Sequence, residues 1–175
     1  MMTHDTLRKL NDMKLFGMAQ GFEEQLASTM TGPLSFEERF GLLVDQEATW
    51  RENRRLQRLL QLAKLRESAC LEDIDFRPGR GLERSEMASL ALCNWIQHGH
   101  NLIITGPTGG GKTWLACALG NQACRRGLSV NFQRLPLLLE DLAVSHGDGS
   151  FRKRLLQLSK VDLLILDDFG MAALN

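Results

Sequence analysis

The stretch NLIITGPTGGGKTWLACALGNQACRR, residues 101–126, decides the fold of this 175-residue chain. An apolar run at 101–105 leads into a glycine-rich segment, and a helical pattern follows. GPTGGGKT at 106–113 matches G-x-x-x-x-G-K-[ST], in which glycines let the backbone N–H groups curl around a phosphate. A glycine-rich turn that merely precedes a helix is the alternative, but a lysine and a threonine in register argue against it. The order strand, loop, helix therefore predicts a phosphate-binding loop in an α/β domain.

The residues of this loop have distinct expected roles in binding ATP and Mg²⁺. The helix that begins near Lys112 directs its positive dipole end at the phosphates. We expect Lys112 to reach the β- and γ-phosphates and the Thr113 hydroxyl to ligate Mg²⁺. The candidate nucleotide-binding residues are Gly106, Pro107, Thr108, Gly109, Gly110, Gly111, Lys112, Thr113 and Trp114.

A second acidic half of the site follows at VDLLILDD, residues 161–168. Its apolar residues indicate a parallel strand that is buried on both faces. Asp167 is expected on the Mg²⁺ side, and Asp168 is expected to orient or deprotonate the attacking water as a general base. Two adjacent carboxylates repel, and a bound divalent cation relieves that repulsion. A strand end at which two aspartates cap a turn is the alternative.

The whole chain divides into a helical part and an α/β part. The predicted strands are 101–105, 129–133 and 161–168, and the predicted helices among them are 112–126, 134–144 and 150–160. This alternation indicates a layered α/β domain with a parallel sheet. Upstream, residues 3–30 read as helix interrupted at Gly17, a turn signal lies at 31–33, and the capping box SFEE at 35–38 begins a long helix to about Glu67. We predict a helical domain at 1–67, a linker with one short helix at 68–99, and a nucleotide-binding domain at 100–175; the linker's clearest signal is RPGRG at 77–81.

Bulk composition excludes several classes of protein. Basic and acidic residues balance at 21 each, so any nucleic-acid contact must be local. No apolar run approaches the ~20 residues that span a bilayer, and the first residues lack a signal-peptide pattern. These two observations predict no membrane partner. The four cysteines show no CxxC pairing, which favours reduced thiols and a cytoplasmic location.

The most basic stretch is RENRRLQRLLQLAKLR at 51–66, with six cations and one acid. Four of its cations share a helical face: Arg51, Arg54, Arg55 and Arg58. This face suits the phosphates of a DNA duplex. A solvated face whose charges pair with nearby acids, such as Glu67, Glu72 and Asp73, is the alternative.

Several of these motifs together resemble one family, the IstB-like ATP-binding proteins. These are transposition helper ATPases of insertion sequences and relatives of the DnaC helicase loaders in the AAA+ superfamily. The resemblance covers essentially the whole chain and rests on GMAQGFEEQLAS, LSFEERFGLLVDQE, RENRRLQRLLQLAKLR, LEDIDFRPGRGL, residues 101–127 and DLLILDDFG. It implies a P-loop NTPase core of AAA+ type behind a helical N-terminal domain. It also implies ATP-dependent self-association on double-stranded DNA and assistance to a cognate transposase.

The resemblance also implies that family members continue beyond the last residue here. A sensor strand, an arginine finger and a helical lid follow in the family, so we expect the chain to be cut after its acidic pair. In that topology the run 101–105 loses both sheet neighbours, and each buried unpaired polar group costs ~1–3 kcal/mol. We therefore expect this chain to be poorly folded alone and to hydrolyse little ATP.

Two other functions stay open at this level. The chain could be a helicase-loader adaptor that shares the ATP site, or a non-catalytic remnant whose helical part binds DNA or protein. The segment LEDIDF at 71–76 could also frame the adenine.

Overall fold

The computed structural model of the protein describes residues 2–28, 33–77, 79 and 81–169. The predicted turn at 31–33 and the linker at 77–81 therefore lie partly outside the described residues, and the end of the nucleotide-binding domain, 170–175, lies wholly outside them. Two compact units are present, Met1–Gln57 and Arg58–Asn175. The predicted domain boundary at residue 67 falls after this division. No described helix is long and apolar enough to cross a membrane.

Three helices build the first unit: α1 (Met2–Asp12), α2 (Phe16–Ala27) and the first part of α3 (Phe36–Ala63). Helix α1 ends before Lys14, which has a positive φ of 60°. The predicted break between two helices is present, but it lies at 13–15 and not at Gly17, which is inside α2. A Cβ at Gly17 would lie 2.6 Å from the Gln46 carbonyl oxygen and 2.7 Å from the Glu47 Cα. Glycine at this position lets α2 approach the backbone of α3.

A buried carboxylate fixes this approach of α2 to α3. Glu47 is 7% exposed, accepts the Met18 backbone N–H at 3.1 Å and pairs with Arg51 Nε at 2.6 Å. Burial alone would raise the pKa of Glu47, but the hydrogen bonds from Arg51, Met18 and Gly17 outweigh it and lower that pKa.

The predicted capping box begins α3. Ser35 Oγ accepts the Glu38 N–H at 3.3 Å, and the Glu38 carboxylate accepts the Ser35 N–H at 2.7 Å. The helix ends at Ala63, a few residues earlier than predicted, because Lys64 has a left-handed φ of 52°.

The second unit contains the remaining elements. A 3₁₀ turn (Leu71–Asp73) precedes two short helices, α4 (Arg84–Ala91) and α5 (Asn94–Gln97). One helix was predicted there, and Cys93 divides it by taking a positive φ of 60°. The elements that follow are α6 (Lys112–Arg125), β1 (Val130–Arg134), α7 (Leu135–Gly147), α8 (Phe151–Leu158) and β2 (Leu163–Asp167).

The sheet of the described structure has two parallel strands, β1 and β2, in register from Val130–Leu163 to Arg134–Asp167. The strand starts are joined by Ser129, whose N–H and hydroxyl both donate to Asp162 Oδ2 at 2.7 and 2.6 Å. These hydrogen bonds, the hydroxyl's first, lower the pKa of Asp162.

The predicted third strand, 101–105, is wrong for this structure. Among the described residues it has no backbone hydrogen bond, and Ile103 is 83% exposed. A strand requires a partner for its N–H and C=O groups, and the two described strands pair only with each other. The prediction that 161–168 is buried on both faces is also wrong, since Leu164 and Leu166 are each 36% exposed.

Helix α6 is the centre of the core in this unit. One cluster joins its residues Cys117 and Ala118 to Ala69 and Phe132, and another joins Leu115 and Leu119 to Ile74 and Met87. A Cβ on Gly120 would lie 2.8 Å from Ile165 Cδ1, so α6 packs closely against β2. This packing places the start of α6 beside the end of β2.

Candidate nucleotide and metal site

The glycine loop has the backbone geometry that the sequence requires. Gly109 and Gly111 take left-handed φ angles of 77° and 85°, which other residues rarely adopt. A Cβ on Gly110 would lie 3.0 Å from the Pro107 carbonyl oxygen. The first intrahelical hydrogen bond of α6 runs from the Leu115 N–H to the Gly111 carbonyl, which leaves the earlier N–H groups of the helix for another acceptor.

Lys112 lies at the first position of α6 and folds back over the loop. Its Nζ donates to the carbonyl oxygens of Gly106 at 3.0 Å and Pro107 at 2.9 Å. These bonds are exposed, and the side chain can exchange them for phosphate oxygens by rotating its flexible stem.

The two halves of the predicted site meet at Thr113 and Asp167. The Thr113 hydroxyl lies 3.1 Å from Asp167 Oδ1 and 3.0 Å from Oδ2. Thr113 is on the first turn of α6 and Asp167 is the last residue of β2, so the helix start and the strand end converge on one point. The Asp167 side chain is only 14% exposed.

This donor set fits a magnesium ion. A threonine hydroxyl and a carboxylate, both oxygen donors, lie within hydrogen-bond distance of each other beside a loop that presents N–H groups. Mg²⁺ prefers oxygen ligands and is commonly bound through one or two protein groups together with phosphates. The residues that would hold it are Thr113 and Asp167.

Asp168 is held separately by an arginine that the sequence did not single out. The Nε of Arg134, at the end of β1, donates to Asp168 Oδ2 at 2.7 Å. Asp168 takes a left-handed φ of 57°, which turns it away from the line of β2. The position of Arg134 at the carboxyl end of the neighbouring strand is the signal that could have identified it, because parallel strands end at one edge of a sheet.

A second arginine faces Asp167. Arg66 Nη1 lies 3.7 Å from Asp167 Oδ2. The sequence placed Arg66 in the basic stretch without a role, since nothing in the local pattern shows that residue 66 meets residue 167.

Trp114 and the segment 71–76, which were candidates for contact with the nucleotide, pack in the core. Trp114 packs against both core clusters, so its side chain is part of the core. Within LEDIDF, Ile74 is buried among Met87, Leu115 and Leu119, and this segment therefore contributes to the core.

The arginine face of α3 is engaged in local contacts. Arg51 pairs with Glu47 on the same helix, and the Arg54 guanidinium lies 5.0 Å from the Trp50 ring centroid. Arg55 and Arg58 are exposed on the same helix. Glu72, one of the acids that the alternative would pair with this face, is bound to Arg125 at 2.5 Å.

Comparison with known proteins finds relatives that are named as ATP-binding. Residues 8–175 match the family model described as IstB-like ATP binding protein. A protein of insertion sequence IS1162 from Pseudomonas fluorescens, named as ATP-binding, is 56% identical over all of this chain and 76% of its own length. An insertion-sequence protein from Sinorhizobium fredii, also named as ATP-binding, is 47% identical over 100% of this chain and 71% of its own length. One from Mycobacterium tuberculosis is 38% identical over 93% of this chain and 64% of its own length.

Proposed function

Because the chain belongs to the family of IstB-like ATP-binding proteins, we propose that it binds Mg²⁺–ATP and assists the transposase of an insertion sequence. The observation that carries the nucleotide part is the meeting of the Thr113 hydroxyl and the Asp167 carboxylate within 3.1 Å beside the glycine loop. The names of the relatives, which refer to insertion sequences, support the transposition part.

The backbone and the lysine side chain of the loop contact different parts of the triphosphate. The N–H groups at the start of α6 and in the loop donate to the phosphate oxygens, and the backbone of residues 106–114 forms the binding loop. Lys112 leaves the carbonyls of Gly106 and Pro107 and places its charge on the β- and γ-phosphates. When bound, Mg²⁺ neutralises phosphate charge and fixes the orientation of the phosphates.

Hydrolysis requires a base beside the terminal phosphate. We assign this role to Asp168, whose free carboxylate oxygen can accept a proton from water while Arg134 holds the other. Removing Arg134 would release the carboxylate from its position without removing the base itself.

The partners follow from the charge on α3 and from the family. We propose that the arginine face, residues Arg51, Arg54, Arg55 and Arg58, contacts the phosphates of double-stranded DNA. Arg51 also forms an ion pair with the buried Glu47, so its substitution would disturb the fold. Arg58 is therefore the better residue to test. Self-association on DNA and contact with a cognate transposase complete the proposal.

Nucleotide binding is tested with a fluorescent ATP analogue. Anisotropy titrations compare the wild-type chain with Lys112→Ala, and with Lys153→Ala as a control on the exposed surface of α8. We expect tight binding that depends on Mg²⁺ in wild type and control, and a loss of about tenfold or more in Lys112→Ala. Equal affinities of Lys112→Ala and wild type would contradict the assignment of the loop.

DNA binding is tested through its salt dependence. Each phosphate contact contributes about −0.9 to the slope of log K against log salt for duplex DNA. We expect Arg58→Gln to make the slope shallower by about this amount. The control is Arg77→Gln, because Arg77 lies outside this helix and pairs with Asp75, and it should leave the slope unchanged. A slope near zero in the wild-type chain would refute the phosphate contacts.

A further inference from the structure

Arg66 is held in place by anchored residues on both sides. Helix α3 ends at Ala63, which is fully buried, and Leu65 packs against the cluster of Cys117, Ala118 and Phe132. Ala69, three residues after Arg66, is 1% exposed in the same cluster. The backbone around Arg66 is therefore fixed against α6, and only its side chain is free to choose between positions.

The charge of Arg66 lies against the candidate metal ligand. Its Nη1 is 3.7 Å from Asp167 Oδ2, and it is the one cation within ion-pair distance of Asp167 among the described residues. The two other cations of the site have different acceptors. Lys112 is bound to its own loop carbonyls and Arg134 to Asp168.

The Asp167 carboxylate is thus satisfied by the protein itself. Thr113 donates its hydroxyl proton to this carboxylate and Arg66 supplies the opposite charge, while the side chain keeps 14% of its surface exposed. A divalent cation that binds this oxygen must displace or repel a guanidinium that is already there. The guanidinium and the metal ion are both positively charged, and at this separation they repel each other even where solvent screens them.

We propose that Arg66 is a positioning residue that acts through Asp167: it holds the carboxylate in the metal-free site and sets the Mg²⁺ concentration at which nucleotide is bound. This inference deepens the proposed function and rests on it. Loading of Mg²⁺–ATP then requires the Arg66 side chain to leave Asp167.

The test measures how much Mg²⁺ supports binding of a fluorescent ATP analogue to the full chain. Arg66→Gln removes the charge, Arg66→Lys keeps it, and Arg77→Gln removes a comparable exposed arginine that pairs with Asp75. Partly exposed ion pairs contribute ~0.2–1 kcal/mol. We therefore expect Arg66→Gln to lower the Mg²⁺ concentration at half-maximal binding by about 1.5-fold to fivefold, while Arg66→Lys and Arg77→Gln stay close to wild type.

A second readout separates this role from general damage to the fold. Thermal melting is recorded without ligand and with ATP at limiting Mg²⁺. We expect the upward shift caused by the ligand at limiting Mg²⁺ to be larger in Arg66→Gln than in wild type, because less of the binding energy is used to displace a cation.

The outcomes distinguish the two levels of the proposal. An unchanged or higher Mg²⁺ requirement in Arg66→Gln, or an equal change in Arg66→Lys, overturns the role of Arg66 alone. Weaker analogue binding by Arg66→Gln at saturating Mg²⁺ also overturns it, since Arg66 would then contact the nucleotide directly. A wild-type chain that binds no analogue at any Mg²⁺ concentration overturns the proposed function as well.

Discussion

Substituting Gly17 by alanine tests the close approach of α2 to α3, the packing beneath the arginine face. The new Cβ would lie 2.6 Å from the Gln46 carbonyl oxygen, 2.7 Å from the Glu47 Cα and 2.8 Å from the Trp50 Cβ. Because two of these atoms are backbone, they cannot swing aside, and overpacking of this kind costs ~1–3 kcal/mol. Alanine gains ~1 kcal/mol over glycine from helix propensity. The net expectation is a loss of about 0–2 kcal/mol in the free energy of unfolding.

Gly41→Ala is the matched control. Gly41 is also a helical glycine, in α3, but its Cβ would meet nothing within 4 Å. We expect this variant to be more stable than wild type by up to ~1 kcal/mol, from propensity alone. Urea denaturation followed by far-ultraviolet circular dichroism measures both. If Gly17→Ala and Gly41→Ala stabilise the chain equally, α2 does not approach α3 as described, and the argument for Gly17 fails.

Two further predictions concern the second unit. Ser129→Ala removes the hydrogen bond that the hydroxyl donates to the Asp162 carboxylate and the one that it accepts from the Asp162 N–H, and should lower stability by ~1–3 kcal/mol at neutral pH. The lowered pKa of Asp162 contributes stability that is present above the pKa of this group in the unfolded chain and is lost as the pH falls through its pKa in the folded chain. The difference in unfolding free energy between Ser129→Ala and wild type should therefore become smaller in acid. A constant difference across a pH series of urea melts would argue against this. Thiol labelling with a disulfide reagent near pH 8 should modify Cys70 first, because Cys93, Cys117 and Cys124 are at most 1% exposed and burial raises the pKa of each, of Cys124 to about 11. A Cys70→Ser chain that still shows a fast-reacting thiol would contradict the burial of the other three.

Features with a local chemical cause could be predicted from the sequence. The capping box of Ser35 and Glu38 requires only four residues, and the structure confirms it. The start of α6 at Lys112 follows from the glycine loop, and the two strands β1 and β2 lie within a residue or two of their predicted ranges. The roles assigned to individual loop residues remain predictions.

Features that depend on distant partners could not be predicted. The low helix propensity of glycine suggested that Gly17 breaks the helix. Glycine is needed there because the backbone of Gln46 and Glu47, 29 and 30 positions later in the sequence, packs against it. The run 101–105 has the composition of a strand, yet strand formation also requires hydrogen-bonding neighbours. Arg66 and Arg134 reach Asp167 and Asp168 only through the tertiary fold.

The central claim is that Thr113 and Asp167 bind the same Mg²⁺ ion of an Mg²⁺–ATP complex. The most direct measurement is a double-mutant cycle with Thr113→Val, Asp167→Asn and the combined variant, in which the ratio of analogue affinities with and without Mg²⁺ is determined. If both side chains serve the same ion, each single variant loses most of the Mg²⁺-dependent gain, about tenfold or more, and the combined variant loses little beyond that. Losses that add to within ~0.3–0.5 kcal/mol would show that the two residues act independently, and that result would contradict the shared site.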